Sequence, residues 1–328
     1  MIAERDTNFG DQLSHGPVEL PLVSIIITAY NYEAFVSLAV QSAIDQSYPS
    51  VEVIVVDDGS TDGTFDEVRK FGSAVRYFIK ENGGLAKARN YGIDKSRGDF
   101  LLFLDADDEL EPGAVQVMHN CMCRLSDDYA IVACTFTKID SEGNVMGSQG
   151  NLPREEGDIT CRQLLMRNRF PVTALTKRSA IVQCGMFDPG YGTSLGSEDR
   201  DIWVRVSSLH KVRMLTDPLL RKRVHGANMS SKADNQHRGM IRTIGKARVS
   251  NAVPGAGFMF WAKVASVRRF QFAMMRRGCR DRAGGWLELL RSCCAWPWFF
   301  SLDEVGLPAF FRVRCALRWI LGRSNFKD

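Results

Sequence analysis

The apolar runs in the first third of the chain constrain its fold more than any other feature. Val23-Ser-Ile-Ile-Ile-Thr-Ala29, Glu52-Val-Ile-Val-Val-Asp57 and Phe100-Leu-Leu-Phe-Leu104 are short, apolar and bounded by turn residues. Such runs read as strands buried on both faces, the pattern of a parallel sheet. Between them lie stretches with helical spacing. Val36, Ala39, Val40, Ala43 and Ile44 form one apolar stripe, and helices are expected from about Thr61 to Lys70 and from Leu85 to Ser96. A further strand is expected at Val75 to Ile79. Strand and helix in alternation require right-handed crossovers, so the fold class is α/β with a doubly wound, mostly parallel sheet.

Beyond Leu104 the pattern loosens. Pro112 suits the first turn of a helix reaching about Leu125. Strands are expected at Ala130 to Lys138 and Pro171 to Lys177, with a loop from Met146 to Asp158. Ile202 to Ser208 reads as helix and Pro218 to Val224 as a short extended piece. From Ala233 the chain is helical and basic, with breaks expected at Pro254, Gly278, Gly284-Gly285, Pro297 and Pro308.

Composition excludes several classes. With 45% hydrophobic and 24% charged residues, the chain is neither collagen-like nor disordered. Nine cysteines lack zinc spacing, and their odd number without a framework fits a reducing compartment. Residues 1–20 are a polar lead with no apolar core, so no secretory signal is expected, and no uncharged run is long enough to span a membrane. These features point to a cytoplasmic protein.

In an open parallel sheet, ligands bind beyond the carboxyl ends of the strands. Three polar groups fall there: Thr28-Ala-Tyr-Asn31, Asp57-Asp58-Gly-Ser60 and Asp105-Ala-Asp107. Asp105 and Asp107 are two apart and face the same side of extended chain. Their mutual repulsion is relieved by a hard divalent cation, Mn²⁺ or Mg²⁺, which prefers oxygen ligands. The other reading is an acidic loop, with Asp108, Glu109 and Glu111 as charges at the helix start near Pro112. That reading accounts for Asp105 and Asp107 less well.

Four ordered fragments carry a family resemblance: Val23-Ser-Ile-Ile-Ile-Thr-Ala-Tyr-Asn31, Val55-Val-Asp-Asp-Gly-Ser-Thr-Asp62, Asn82-Gly-Gly-Leu-Ala-Lys-Ala-Arg-Asn90 and Phe103-Leu-Asp-Ala-Asp-Asp108. Together they resemble glycosyltransferase family 2, over about residues 22–230. The resemblance implies a GT-A (Rossmann-like) fold and transfer from a nucleotide-sugar, most often a UDP-sugar, with inversion. It implies that Thr28, Tyr30 and Asp58 cradle the base, with Asp57 beside them. It places Arg89 near base and phosphates, Asp105 on the ribose side and Asp107 on the metal. Ser197-Glu-Asp-Arg-Asp201 resembles the family's acceptor-side motif, which makes Asp199 the general base. The competing reading has Glu198 and Asp199 complementing a helix dipole, with Ser197 as cap. Arg223-Val-His225-Gly-Ala-Asn-Met-Ser230 resembles the closing stretch and offers His225 as a metal ligand. Asp201 and Trp203 read as structural, and Gly190, Gly192 and Gly196 as a stretch able to move over a bound donor.

The expected organisation is a lead at 1–20, a GT-A domain at 21–235 and a basic, aromatic helical extension at 236–328. Residues 251–328 hold 13 Lys and Arg against 5 Asp and Glu, and five of the six Trp. Arg268, Arg269, Arg276, Arg277 and Arg280 interleave with Phe270, Phe272 and Met274, and further on Trp296, Trp298, Phe299, Phe310 and Trp319 lie among arginines. Such helices suit the surface of an anionic membrane, the inner face for a cytoplasmic protein. They suit equally a cap that packs its aromatics on the catalytic domain. The donor-side motifs argue against a nucleic-acid partner and favour a glycan or lipid-linked acceptor, as in surface polysaccharide synthesis. A nucleotidyltransferase would carry a Gly-rich basic loop after the first strand, where this chain has Tyr30-Asn-Tyr-Glu33. A non-catalytic nucleotide-sugar-binding module is the remaining alternative.

Overall fold

The computed structural model describes residues 20–146, 156–167, 170–193, 195–226, 233–278, 281–295 and 311–320. The polar lead, most of the loop after Met146, the end of the closing stretch (Ala227 to Ser230), and Arg280, Trp296, Trp298, Phe299 and Phe310 lie outside them.

Nine strands among the described residues form one sheet: β1 (Val23–Ala29), β2 (Val51–Asp57), β3 (Arg76–Ile79), β4 (Phe100–Asp105), β5 (Glu109–Leu110), β6 (Tyr129–Ile139), β7 (Gly157–Asp158), β8 (Ala174–Lys177) and β9 (Lys211–Arg223). The order is β3-β2-β1-β4-β8-β6-β9-β5, with β7 added on β9. β3, β2, β1 and β4 are all parallel. β8 joins β4 and β6 antiparallel, while β6 and β9 run parallel. The doubly wound reading therefore holds for one half, and the other half is mixed.

Burial follows the two-residue period of each strand. Ile26, Ile54, Val56, Leu101 and Phe103 face one layer. Ile25, Ile27, Val53, Val55, Leu102 and Leu104 face the opposite one. Helix α1 (Val36–Ile44) covers the second face, with α2 (Thr64–Arg69) packed against α1; α3 (Leu85–Lys95) covers the first. Helix α4 (Ala114–Met122) also lies on the second face, through Ala114, Val115 and Met118. Helices α5 (Cys161–Met166), α6 (Arg178–Gln183) and α7 (Glu198–Ser207) join the first face.

The same first-face core continues into α8 (Ala233–Val249), α9 (Phe258–Gly278), α10 (Arg282–Ala295) and α11 (Phe311–Ile320). Phe260, Val264, Val267, Phe270, Ala273, Leu289, Cys315 and Trp319 are buried there. Each such side chain contributes roughly 1.5–3 kcal/mol when fully buried, so the described helices of the extension are packed onto the sheet. Arg268 on α9 is 4% exposed and donates to the Leu164 and Leu165 carbonyls at the end of α5. Trp286 meets Trp319 edge to face at 5.2 Å.

Several elements differ from expectation. β9 begins at Lys211, seven residues before the expected Pro218, because bulges near Thr135 and Pro218 absorb the proline within a paired strand. Helix α4 starts at Ala114 with no acid in its first turn, so Asp108, Glu109 and Glu111 do not serve as its helix-start charges. Helix α7 starts at Glu198 rather than Ile202. Helix α5 was hidden in a polar stretch, although Thr160 and Gln163 form a capping box that marks it. Gly284 and Gly285 lie inside α10 and break nothing; a side chain at Gly285 would stand 3.2 Å from the Ala273 carbonyl of α9, so the glycine permits close helix packing.

Candidate active site

The carboxyl ends of β1, β2 and β4 open into a cleft of about 860 Å³. Thr28, at the end of β1, is 3% exposed and its hydroxyl has no protein partner within the wall. Tyr30 stands on the rim, 46% exposed. Asn31 takes a left-handed φ of 58° and receives Thr61 N–H on its side-chain oxygen at 2.8 Å, which fixes the loop that carries both. Asp58 is buried and accepts from Lys80 Nζ at 2.5 Å, Gly83 N at 3.0 Å and Gly84 N at 2.7 Å. It thereby holds the Asn82-Gly-Gly84 loop against the end of β2. A side chain at Gly84 would stand 2.4 Å from the Gly192 carbonyl, so glycine lets that loop meet the opposite wall.

Asp57 is placed differently from its neighbour. It is 1% exposed and outside the cleft lining, with Ser60 N–H on one oxygen at 2.7 Å and the Tyr77 hydroxyl on the other at 2.5 Å. Its visible work is to fold the turn behind the wall.

Arg89 lies on α3 and is 2% exposed, so it is no surface charge. One guanidinium nitrogen donates to Glu198 Oε1 at 2.8 Å and another to Asp105 Oδ1 at 3.0 Å. The ring of Phe187 lies 5.3 Å beneath it. Burial works against its charge, but Asp105 and Glu198 more than offset that and hold its pKa above the ordinary value. One side chain thus ties β4 of the parallel half to α7 of the mixed half.

Asp105, Asp107 and Asp108 each place a carboxylate oxygen within 4.8 Å of the others. Asp107 is 7% exposed, and His225 Nε2 lies 3.0 Å from its Oδ2. Burial first, and then the charge of Asp105, raise the Asp107 pKa, while His225 and Lys222 oppose the rise. Asp108 is tied to β9, accepting Arg223 N–H at 2.8 Å, with Lys222 Nζ at 3.4 Å. Burial pushes Asp108 up to about 7 even though Lys222 pulls it down. Three crowded, poorly solvated carboxylates with an imidazole beside them fit a hard divalent cation. Asp105, Asp107 and His225 face the cleft and have the chemistry to hold one; Asp108 is engaged by the strand.

Two neighbours of this cluster were missed from sequence. The Tyr32 hydroxyl hydrogen-bonds Asp107, and burial together with the nearby carboxylates raises its pKa. Burial disfavours the Lys222 charge, yet Asp108, Asp105 and Asp107 raise its pKa beyond the usual value. Both line the cleft. Nothing in the local sequence marks Lys222, since its partners lie more than a hundred residues away.

The acceptor-side motif opens α7. Ser197 sits at the N-cap in a left-handed conformation (φ 77°) and makes no side-chain cap; its hydroxyl turns to Gln236 Oε1 at 3.1 Å. Glu198 pairs with Arg89, whereas Asp199 is half-buried, lines the cleft and, among the described residues, has its side chain hydrogen-bonded only by the Arg200 N–H at 2.7 Å. Asp201 binds Arg205 and Lys246, and Trp203 is fully buried between Phe170 and Phe187, so both are structural. Gln236 of α8 joins the cleft wall. A side chain at Gly239 would stand 1.7 Å from the Gly196 carbonyl, so α8 is seated directly on the loop before α7.

A parallel half, a mixed half behind it, and a shared cleft with clustered carboxylates at the strand ends define a GT-A glycosyltransferase. The model of "Glycosyl transferase family 2" matches residues 24–185. An uncharacterised glycosyltransferase of Rickettsia typhi is 32% identical over 219 residues, 66% of this chain and 68% of the relative. The chondroitin synthase of Pasteurella multocida is 29% identical over 71% of this chain and 24% of its own length. Among solved structures, S. aureus TarS residues 1–349 in complex with UDP-GlcNAc superposes with a TM-score of 0.65 at 17% identity, covering 92% of this chain and 88% of that one. The chain belongs to glycosyltransferase family 2, and it is a glycosyltransferase.

Proposed function

We propose that this enzyme moves a sugar from a UDP-sugar to a hydroxyl of a glycan or lipid-linked acceptor, with inversion, in surface polysaccharide synthesis. The observation that carries the reading is Arg89, bonded at once to Asp105 and Glu198. That contact keeps the carboxylates of the donor side within one cleft with Asp199. The unpartnered Thr28 hydroxyl, Tyr30 and Asp58 line the end suited to a nucleotide base. Asp105 is the ribose-side carboxylate, and Asp57 supports the base pocket from behind. Mn²⁺ or Mg²⁺ held by Asp107 and His225 would offset the charge of the departing diphosphate. Asp199 accepts the proton of the acceptor hydroxyl; among the described residues no cation pairs with it, and it faces the cleft, as a base requires. A complex of a structural neighbour with UDP-GlcNAc supports the donor class, and a chondroitin synthase among the relatives supports a glycan acceptor.

We take residues 21–235 as the catalytic domain and 236–328 as an extension whose described helices pack on it, in a cytoplasmic protein. Contact with the inner face of an anionic membrane is a second reading. Phe258 and Met259 are 81% and 60% exposed, and Leu287, Leu290 and Leu317 are also exposed among arginines. No helix among the described residues is long and apolar enough to cross a membrane. Co-sedimentation with anionic vesicles that weakens at high salt supports that reading, and its absence at low salt ends it.

The decisive experiment is a panel of nucleotide-sugars, read by thermal stabilisation and by divalent-metal-dependent release of the nucleotide. UDP-sugars should stand out from GDP- and CDP-sugars. A panel in which no nucleotide-sugar raises the melting temperature or is turned over refutes the reading.

A further inference from the structure

The acceptor side of the cleft holds a second buried arginine, and its surroundings are unlike those of Arg89. Arg200 follows Asp199 on α7, is 9% exposed and lines the cleft. Among the described residues, the one hydrogen-bond partner of its guanidinium is the Met240 sulfur, 3.2 Å from one terminal nitrogen. Among the described residues its Nε is buried with no partner, and no carboxylate lies within ion-pair distance. The nearest acid by charge is Asp199, which raises the Arg200 pKa; burial outweighs it and brings the value down to about 10, still charged at neutral pH. Behind it stands Arg268, fully buried, whose own donors are taken by the Leu164 and Leu165 carbonyls and by Gln271. Among the described residues, neither guanidinium group is paired with an acid.

A buried, unpaired cation is destabilising unless something compensates it. Helix packing does not need this one. A methionine, leucine or glutamine would fill the space between α7 and α8 without desolvating a charge. An arginine retained against that cost, on a cavity wall and with a buried Nε that no acceptor meets, has the chemistry of an anion receptor. The geometry also says which anion. In the proposed reading the donor diphosphate belongs at the acid cluster, which Arg89 ties to Glu198. Arg200 follows Asp199, the proposed base, and is held against Met240 of α8, on the side of the cleft assigned above to the acceptor.

We propose that Arg200 is a specificity residue that receives an anionic group of the acceptor, a uronate carboxylate or a phosphate, next to the hydroxyl that Asp199 deprotonates. The inference rests on the proposed donor and acceptor sides of the cleft. A neutral acceptor would leave the guanidinium unpaired in a closed site. An anionic acceptor satisfies it and is oriented by it.

The test measures binding of three probes to the full chain in the presence of UDP and Mn²⁺: p-nitrophenyl β-glucoside, the matching β-glucuronide, and the glucoside 6-phosphate. A charged hydrogen bond is worth about 1.5–3 kcal/mol, so one of the two anionic probes should bind roughly tenfold or more tightly than the neutral one. The carboxylate and phosphate arms distinguish a uronate from a phosphate acceptor. Arg200→Met should reduce the preference to within about twofold, leave UDP affinity unchanged, and melt no lower than the parent, because an unpaired buried charge is replaced by an apolar chain. Arg200→Lys, which keeps the charge, should retain part of the preference. Equal binding of the three probes, no binding of any while UDP binds, or an Arg200→Met variant that keeps the preference or melts well below the parent, each overturns the proposal. A protein that does not bind UDP at all instead removes the donor reading beneath it.

Discussion

Arg89 and Arg200 are both buried in one cleft, yet Arg89 is enclosed by Asp105 and Glu198 while Arg200 meets a methionine sulfur. The proposed donor side resembles a finished structure. Its carboxylates are counted off against Arg89, Lys80, Lys222 and backbone N–H groups before any ligand enters. The proposed acceptor side keeps charges in reserve: among the described residues Asp199 has no cation in an ion pair and Arg200 has no acid. The difference teaches that one cleft can join a wall whose charges are already paired to a wall whose charges await a partner, which is what the proposed donor and acceptor sides would require.

Substitutions can break this contrast, and the largest effect is expected at Asp107. Asp107→Ala should remove divalent-metal-dependent transfer and weaken UDP binding, since the remaining carboxylates cannot hold the cation. Wild-type turnover of the variant in chelator would show that the cluster serves no metal.

Asp199→Asn probes the other half. It keeps shape and removes the proton acceptor, so turnover should fall by roughly 10² or more, while UDP affinity stays within a few fold. Equal loss of UDP affinity would move Asp199 to the donor side and erase the division drawn between the halves. Unchanged turnover would return it to the helix-dipole role.

Arg89→Met sharpens the comparison through stability. It strands Glu198 in the interior, and breaking a buried pair by removing one partner costs on the order of 3–5 kcal/mol. Denaturant melts of Arg89→Met and Arg200→Met, run side by side, should differ by most of that amount. Matching melts would mean that the two arginines are equivalent.

A smaller effect is expected where α8 is pinned to the loop before α7. Partial burial of Asp188 raises its pKa, but the Gly190 N–H, Lys246 and Arg242 overcome this and draw it down to about 2. A depressed folded-state pKa adds stability above the unfolded value near 3.8, and that stability is lost as pH falls from there through about 2. Asp188→Asn should therefore cost on the order of 2 kcal/mol at pH 7, with the gap closing in acid. A gap that is constant down to pH 2 would assign the loss to packing instead of charge.

How far the sequence carried can be judged from particular elements. β1, β2 and β4 were readable because each is a self-contained apolar run ending in polar residues, and the parallel half is built from such local units. Thr28, Tyr30, Asp58, Arg89, Asp105, Asp107, Asp199 and His225 were named from motifs and come together in the cleft. Asp57 shows the limit, because a motif position does not say which way a carboxylate turns. The mixed half was harder. β9 carries a proline and many charges, β5 and β7 are two residues each, and the glycines of α10 look like breaks until α9 is beside them.

The sequence by itself determined the alternation of strand and helix, the acids at the strand ends and the family they mark, because these depend on neighbours a few residues apart. Tertiary structure decided the partners. Arg89 reaches Glu198 across 109 positions, and Lys222 reaches Asp108 across 114. It decided that the described C-terminal helices bury their apolar faces on the sheet, and that α8 places Gln236 in the cleft wall. It also left Arg200 with a methionine sulfur and, among the described residues, no acid. Charge pairing and burial depend on which distant surfaces meet, and a one-dimensional pattern holds no record of distance.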